Sequence, residues 1–181
     1  MLEIKQRIQQ LIKELGLRHC SSVAPAEVQE MEIKLGLEFP KGYKEFLLAY
    51  GCLEDIEILG GGKEIPYSYL STVEATLELR EMHSEEFPKN CVAVKADGYG
   101  NFYCVVCGGK DNGKVIFWQH DLPPEKTYPN NPRPEDSDFW IEGQNFWEWL
   151  FSELQKRKEL VEKWRNQKSR NEDKKQRESY S

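Results

Sequence analysis

The side chains able to do chemistry are few, and their spacing limits what each can do. Five cysteines stand at 20, 52, 91, 104 and 107, and three histidines at 19, 83 and 120. Cys104-Val-Val-Cys107 is the obvious metal motif to test. A structural zinc site wants four ligands, usually from two such pairs, and the sequence offers one. The motif also falls in an extended run, where residues three apart point to opposite faces. The two sulfurs therefore diverge, and both cysteines read as small buried residues. No histidine has a partner at metal-binding helical spacing. His120 precedes Asp121 at a strand end, where a His–Asp contact is open to it. An enzyme using Cys104, Cys107 or His120 would need a pairing in space that sequence does not show. No catalytic residue, metal ligand or cofactor is assigned.

Two glycine-rich stretches invite a ligand reading. Asp97-Gly98-Tyr99-Gly100-Asn101 fits neither a phosphate-binding loop nor a dinucleotide fingerprint, because no helix follows it. It also lacks the later glutamate of a calcium loop. It reads as a hairpin turn, with glycines supplying positive φ and Asp97 and Asn101 bonding local backbone. Gly60-Gly61-Gly62 could cradle an anion, but Glu57 and Glu64 flank it, so it too reads as a turn.

Charge sorts the function classes further. The 181 residues carry net −6, with 25 basic and 31 acidic side chains. Residues 153–181 hold ten basic and six acidic side chains, a net of +4, which leaves −10 for residues 1–152. An acidic body repels phosphate backbones and favours basic partners. Acids intersperse the basic tail and no aromatic platform accompanies it, so direct nucleic-acid binding is not expected. No apolar run reaches the roughly 20 residues of a membrane span. The odd cysteine count and the charged N-terminus, without a signal-like apolar stretch, point to reduced thiols in a cytoplasm.

The elements that must position these groups follow from periodicity. Ile4, Ile8, Leu11 and Leu15 predict a helix over 2–15, stopped by Gly16. Pro25 opens a second helix with Val28, Met31 and Leu35 buried, ended by Gly36. Pro40 opens a third, with Tyr43, Phe46, Leu47 and Tyr50 on one face and Gly51 at its end. Ile56–Leu59 suggests a short strand. Ser71 and Glu74 form a capping box for a helix reaching about His83. The centre predicts a β-meander: strands over 91–95, 102–107 and 114–119, with turns at 97–101 and 108–113. Five prolines make 121–138 a long loop. A last helix begins near Gln144, continues through Trp164 and is expected to fray beyond about Arg165. Trp140, Trp147 and Trp149 cluster near its start. Trp147 and Trp149 are two apart, so one is expected in the core and the other partly exposed, as a contact anchor or as a peripheral packing residue. The fold class is α+β: a mainly antiparallel or mixed sheet with a central meander, packed by helices at both chain ends. One domain spans 1–152, and 153–181 is a helix continuation plus a basic, disordered tail.

Several of these pieces stand in a recognisable order. Leu35-Gly36-Leu37-Glu38-Phe39-Pro40, then Tyr43, Phe46-Leu47 and Tyr50-Gly51, resemble the opening signature of the SUKH superfamily. That superfamily includes the yeast Smi/Knr cell-wall assembly regulators and many bacterial immunity proteins. Ile58-Leu59-Gly60 resembles its hydrophobic-Gly strand end. Asp97-Gly98, Gly100-Asn101 and Tyr103 resemble its central hairpin. Gly113, Val115, Trp118 and His120-Asp121 resemble its next strand, and Asn145 to Leu150 its closing helix. The resemblance covers roughly residues 20–152. It departs where Gly61-Gly62 replaces a tryptophan common in the family, and in the extension beyond Ser152.

The resemblance implies an α+β fold with no shared catalytic residues. It implies a cytoplasmic bacterial immunity protein, an antitoxin that binds and blocks a cognate polymorphic or contact-dependent toxin, often a nuclease. The alternative it implies is a Smi/Knr-like regulatory scaffold that binds cellular proteins without catalysis. Gly36, Pro40, Tyr43, Phe46, Gly51, Gly60, Gly98, Gly100, Asn101 and Trp118 are assigned to the fold. For the toxin interface the expected residues are Glu54, Asp55 and Glu57, with Asp97, Tyr99 and Asp111 at hairpin tips. These are acidic or aromatic, and lie in loops or strand ends where a basic toxin could be met.

Overall fold

In the computed structural model of the chain, residues 1–122, Tyr128 and residues 141–179 are described, the last seven as backbone only. Most of the expected 121–138 loop, and Trp140, lie outside the described residues. Helix α1, Leu2–Leu15, buries Ile8, Leu11 and Ile12 and stops at Gly16, whose φ of 61° lets Leu17 N–H reach back to Ile12 O at 3.0 Å. That left-handed stop is what glycine supplies cheaply. Helix α2, Pro25–Leu35, begins on its proline, with Glu27 accepting from Ala24 N–H at 2.9 Å. Helix α3, Lys41–Tyr50, buries Tyr43, Phe46 and Leu47. Helix α4, Thr72–Met82, is capped by Ser71, whose hydroxyl accepts from Glu74 N–H at 3.2 Å.

Strands β1 (Cys91–Ala96), β2 (Phe102–Val106), β3 (Val115–Trp118) and β4 (Ile141–Gly143) pair in chain order as one antiparallel sheet. The first three are the expected meander. Strand β4 was not expected, since three residues beside a proline-rich stretch carry no alternation. Helix α5, Phe146–Ser179, opens on Asn145, whose side chain accepts from Glu148 N–H at 3.1 Å. It runs as helix past Arg165, where the apolar pattern ends and fraying was expected.

Both faces of the sheet are covered. Val92, Val94, Val105 and Val115 pack with α1, α2, α3 and the start of α5. Cys91, Ala93, Val106 and Ile116 pack with Leu79 of α4, Leu70 and Phe87. Strands buried on both sides lose the in/out polarity of a half-exposed sheet, which is why β1 and β2 read as near-continuous apolar runs. The edge at β1 is closed by two threonine side chains and one backbone N–H rather than by a further strand. Thr72 donates its hydroxyl to Ala93 O, Thr76 accepts from Ala93 N–H at 3.0 Å, and Leu59 N–H donates to Val94 O at 2.8 Å. Unpaired edge groups would otherwise invite strand addition.

Two expectations are corrected by packing. The expected strand at Ile56–Leu59 is instead a single 3-10 turn, Glu54–Ile56, followed by isolated bridges at Ile58 and Gly60. Glu57 takes a left-handed φ of 54°, which breaks the extended run. Trp147 and Trp149 are both buried, at 4% and 1% exposure. The start of α5 is enclosed on two sides: Trp147 lies under Lys5 of α1 and donates to Glu45 at 3.2 Å, while Trp149 packs on Tyr103 of β2 at 5.6 Å. Among the described residues the exposed tryptophan is Trp164, at 75%.

Candidate functional site

The six residues expected at the interface do not form one patch, and most are already engaged. Asp55 accepts from Arg18 three times, at 2.6 Å from its backbone N–H and at 2.8 and 3.1 Å from its guanidinium. Glu54 meets the same guanidinium at 3.3 Å. Hydrogen bonds from Arg18 hold the Asp55 carboxyl below its ordinary range. This brace pins the loop after α3 to the end of α1. Asp97 accepts from Tyr99 N–H at 2.7 Å, from Asn101 N–H at 3.1 Å and from the Asn101 amide at 2.7 Å. Burial opposes the charge of Asp97, yet these bonds win and keep its carboxyl below the ordinary value. Asp111 is bound by Lys114 at 2.9 Å and by the Tyr128 hydroxyl at 3.0 Å. Its turn lies at the far end of β2 from Asp97, about 17 Å away at 3.4 Å per strand residue.

What remains is Glu57, exposed beside the 3-10 turn, and Tyr99, 84% exposed at the hairpin tip. Glu57 borders a groove of about 540 Å³ between α4 and the sheet, with Glu74, Glu78, Tyr69, Ala96 and Phe102 in its lining. Glu74 and Glu78 are four apart on α4 and so project from one face. Ala96 and Phe102 flank the 97–101 turn whose tip carries Tyr99. Tyr67 and Tyr69 stack at 5.3 Å with their rings 14° apart, and both are at least half exposed. Among the described residues the carboxylates of Glu57, Glu74 and Glu78 take no ion pair. The groove therefore presents three uncompensated negative charges beside exposed tyrosine faces, which attract cations by charge and by ring quadrupole.

Tyr67, Tyr69, Glu74 and Glu78 are not among the residues expected at the interface. The i,i+4 glutamates on α4 were a usable signal, since that helix was foreseen. The tyrosines sit in a stretch with no periodicity, so nothing marked them.

The cysteines and histidines separate from this groove. Cys104 and Cys107 belong to the two opposite apolar layers of the sheet, so their sulfurs diverge as expected. Cys20 and Cys52 are joined by a disulfide, with Cα atoms 5.1 Å apart, which corrects the expectation of five reduced thiols. The sequence could not show this, because 32 positions separate the pair and only the packing of the two loops brings them together. Cys91, Cys104 and Cys107 are free and buried. Burial pushes all three thiols up, Cys107 to about 12, away from the reactive thiolate. His83 and His120 come within 6.2 Å, ring to ring, and His120 bonds the Asn101 side chain at 3.0 Å. No group of three metal-ligating side chains occurs among the described residues. No helix there is long and apolar enough to cross a membrane.

The signature residues hold this architecture. The Tyr43 hydroxyl donates to Leu59 O at 3.0 Å, Asn101 accepts from His120 N–H at 3.2 Å, and Trp118 packs edge-on against His83 and Phe87. Among proteins of known sequence, the chain is 25% identical over 175 residues to the SPbeta prophage-derived uncharacterized protein YokK of Bacillus subtilis (strain 168), covering 83% of this chain and 84% of that one. A family model described as SMI1-KNR4 cell-wall matches residues 1–131, taking in α1 to β3. With that match spanning most of the chain and the signature residues in these roles, the protein belongs to the SMI1-KNR4 family of the SUKH superfamily.

Proposed function

We propose that the protein is an immunity protein: it neutralises a cognate toxin, a basic protein of the nuclease class, by stoichiometric binding and without catalysis of its own. The observation that carries this reading is the groove in which Glu57, Glu74 and Glu78, without an ion pair among the described residues, stand beside Tyr69 and the Tyr67–Tyr69 stack. Such a surface suits Lys and Arg side chains, which gain charge attraction and stacking on an aromatic face. Charge complementarity of this kind speeds encounter and selects partners more than it adds affinity. Family membership supports a protein-interaction role, and the prophage origin of the related protein supports service to a mobile element. The protonated state of the three buried thiols supports a role without a cysteine nucleophile.

The test is co-expression with the toxin encoded beside it. Growth should be rescued and a one-to-one complex recovered. Glu74→Lys with Glu78→Lys should weaken both while leaving the fold intact. Absence of any complex with that toxin would overturn the pairing. The description of the family model as cell-wall related favours one second reading, a regulatory scaffold. Capture of several cellular proteins through the same groove, with no toxin needed, distinguishes it.

A further inference from the structure

Helix α5 outruns the helix beside it. Lys5 lies over Trp147, Arg7 over Phe151, and Lys158 meets Glu14 at 3.1 Å, so α1 and α5 run parallel and in step. Gly16 therefore ends α1 opposite roughly position 160 of α5. From there to Glu172 every side chain is exposed except half-buried Val161. Residues 161–179 extend about 28 Å at 1.5 Å per residue. A polar helix standing clear of a core gains nothing from burial, and helices of this length are marginal alone. Yet one turn of it is apolar: Leu160 is 51% and Trp164 75% exposed, with Arg165 and Lys168 next to them. Lys168 meets Glu172 only at 4.0 Å, in solvent.

Charge says what covers this turn. The segment from Glu153 on is net +4, so two such tails repel each other, while the body is net −10. The acidic groove offers both acids and an aromatic wall to receive a tryptophan flanked by cations. It lies on the α4 face of the sheet, and α5 packs on the opposite face. A helix leaving the domain on one face does not turn back to the other, so the groove it reaches belongs to another molecule. We propose that the exposed end of α5, through Trp164, Arg165 and Lys168, docks in the Glu57–Glu74–Glu78 groove of a second copy of the chain. The chain then self-associates, and its own tail competes with a basic partner for the groove. If the contact is reciprocal it closes a two-fold dimer.

The experiment is sedimentation or light scattering on the full chain across concentration and salt, with no partner present. The mass should rise above the 21.2 kDa of one chain as concentration increases, and fall back in high salt. Trp164→Ala should weaken association by about tenfold or more, as a tryptophan anchor does. Arg165→Glu with Lys168→Glu, and separately Glu74→Lys with Glu78→Lys, should each abolish it, and mixing these two variants should restore a heterodimer. All five positions are surface-exposed or groove-lining, and an unchanged circular dichroism spectrum checks their folding. A mass of one chain at every concentration overturns the proposal. So does association that ignores the Glu74 and Glu78 reversals. The proposal uses the groove but not the toxin, so a failed toxin complex and a failed self-association are separate results.

Discussion

Gly60 lies against the backbone of Gly51 so closely that a Cβ at 60 would overlap the Gly51 carbonyl oxygen. Gly51 in turn, with φ of 68°, sits where a Cβ would overlap the Ser21 carbonyl. Three chain segments are thereby stacked backbone on backbone: the loop after α1, the end of α3, and the passage into the groove. Two signature glycines thus serve close approach, which fixes the loop that carries Glu57.

The contrast with Gly42 makes this testable. A Cβ at Gly42 would meet Trp147 at an ordinary 3.4 Å, within helix α3. Gly60→Ala should destabilise the protein by about 2–3 kcal/mol through overpacking against backbone. Gly42→Ala should be neutral or stabilising by up to about 1 kcal/mol, since alanine is the better helix residue. Urea denaturation of the two variants reads the difference, and equal effects would refute the close-packing account.

The disulfide predicts a thiol count. Without reductant, denatured protein should titrate as three thiols, Cys91, Cys104 and Cys107, and native protein should react slowly because all three are buried. With reductant the denatured count becomes five. Linking residues 32 apart restricts the unfolded chain by roughly 3–4 kcal/mol in the chain-entropy account. Cys20→Ser with Cys52→Ser should lower the denaturation midpoint accordingly. Five reactive thiols in unreduced denatured protein would remove the bond.

Glu153 predicts an acid limb. It is 6% exposed, held by Lys95 from β1 and by Lys156 at 2.8 Å. Burial raises its carboxyl, but the hydrogen bonds from Lys156 and Lys95 outweigh burial and leave it below its ordinary 4.5. A group that titrates lower when folded stabilises fully above its unfolded value. That contribution fades as pH falls through the folded value. Melting temperature should therefore drop on acidification below about pH 4.5, and Glu153→Gln should flatten that drop. The same variant should lose on the order of 1–3 kcal/mol at neutral pH, where it replaces charged hydrogen bonds. An unchanged acid limb in Glu153→Gln would place the sensitivity elsewhere.

Helices and the meander were legible because periodicity and stop residues are local: Gly16, Gly36 and Gly51 end α1, α2 and α3 where expected. Strand β4 and the burial of both Trp147 and Trp149 were not, because they depend on what packs across the sheet. The interface candidates rest on charge and loop position, and sequence does not show which of them are already engaged. Whether an acid is available depends on its neighbours in space. Arg18 claims Glu54 and Asp55 from 36 or more positions away.

That distinction between engaged and available acids gives the last prediction. Asp97, Asp111 and Asp55 each bind fixed donors, so Asp97→Ala, Asp111→Ala and Asp55→Ala should lower stability. Asp97→Ala should cost most, since one carboxylate satisfies two backbone N–H groups and the Asn101 amide. A loss of about 1–3 kcal/mol is expected there. Binding to a basic partner should change little in these variants once folding is corrected for. Glu57, Glu74 and Glu78 should behave in the opposite way. Reversing them should leave the melting temperature within a degree or two, because surface changes away from fixed contacts cost about 0.5 kcal/mol or less. It should slow association and flatten its salt dependence, because steering charges act on the encounter. Stopped-flow association beside thermal melts separates the two sets. If the Asp97 and Asp111 variants bind poorly while the Glu74 and Glu78 reversals bind normally, the recognition surface lies at the hairpin tips and the groove is not the site.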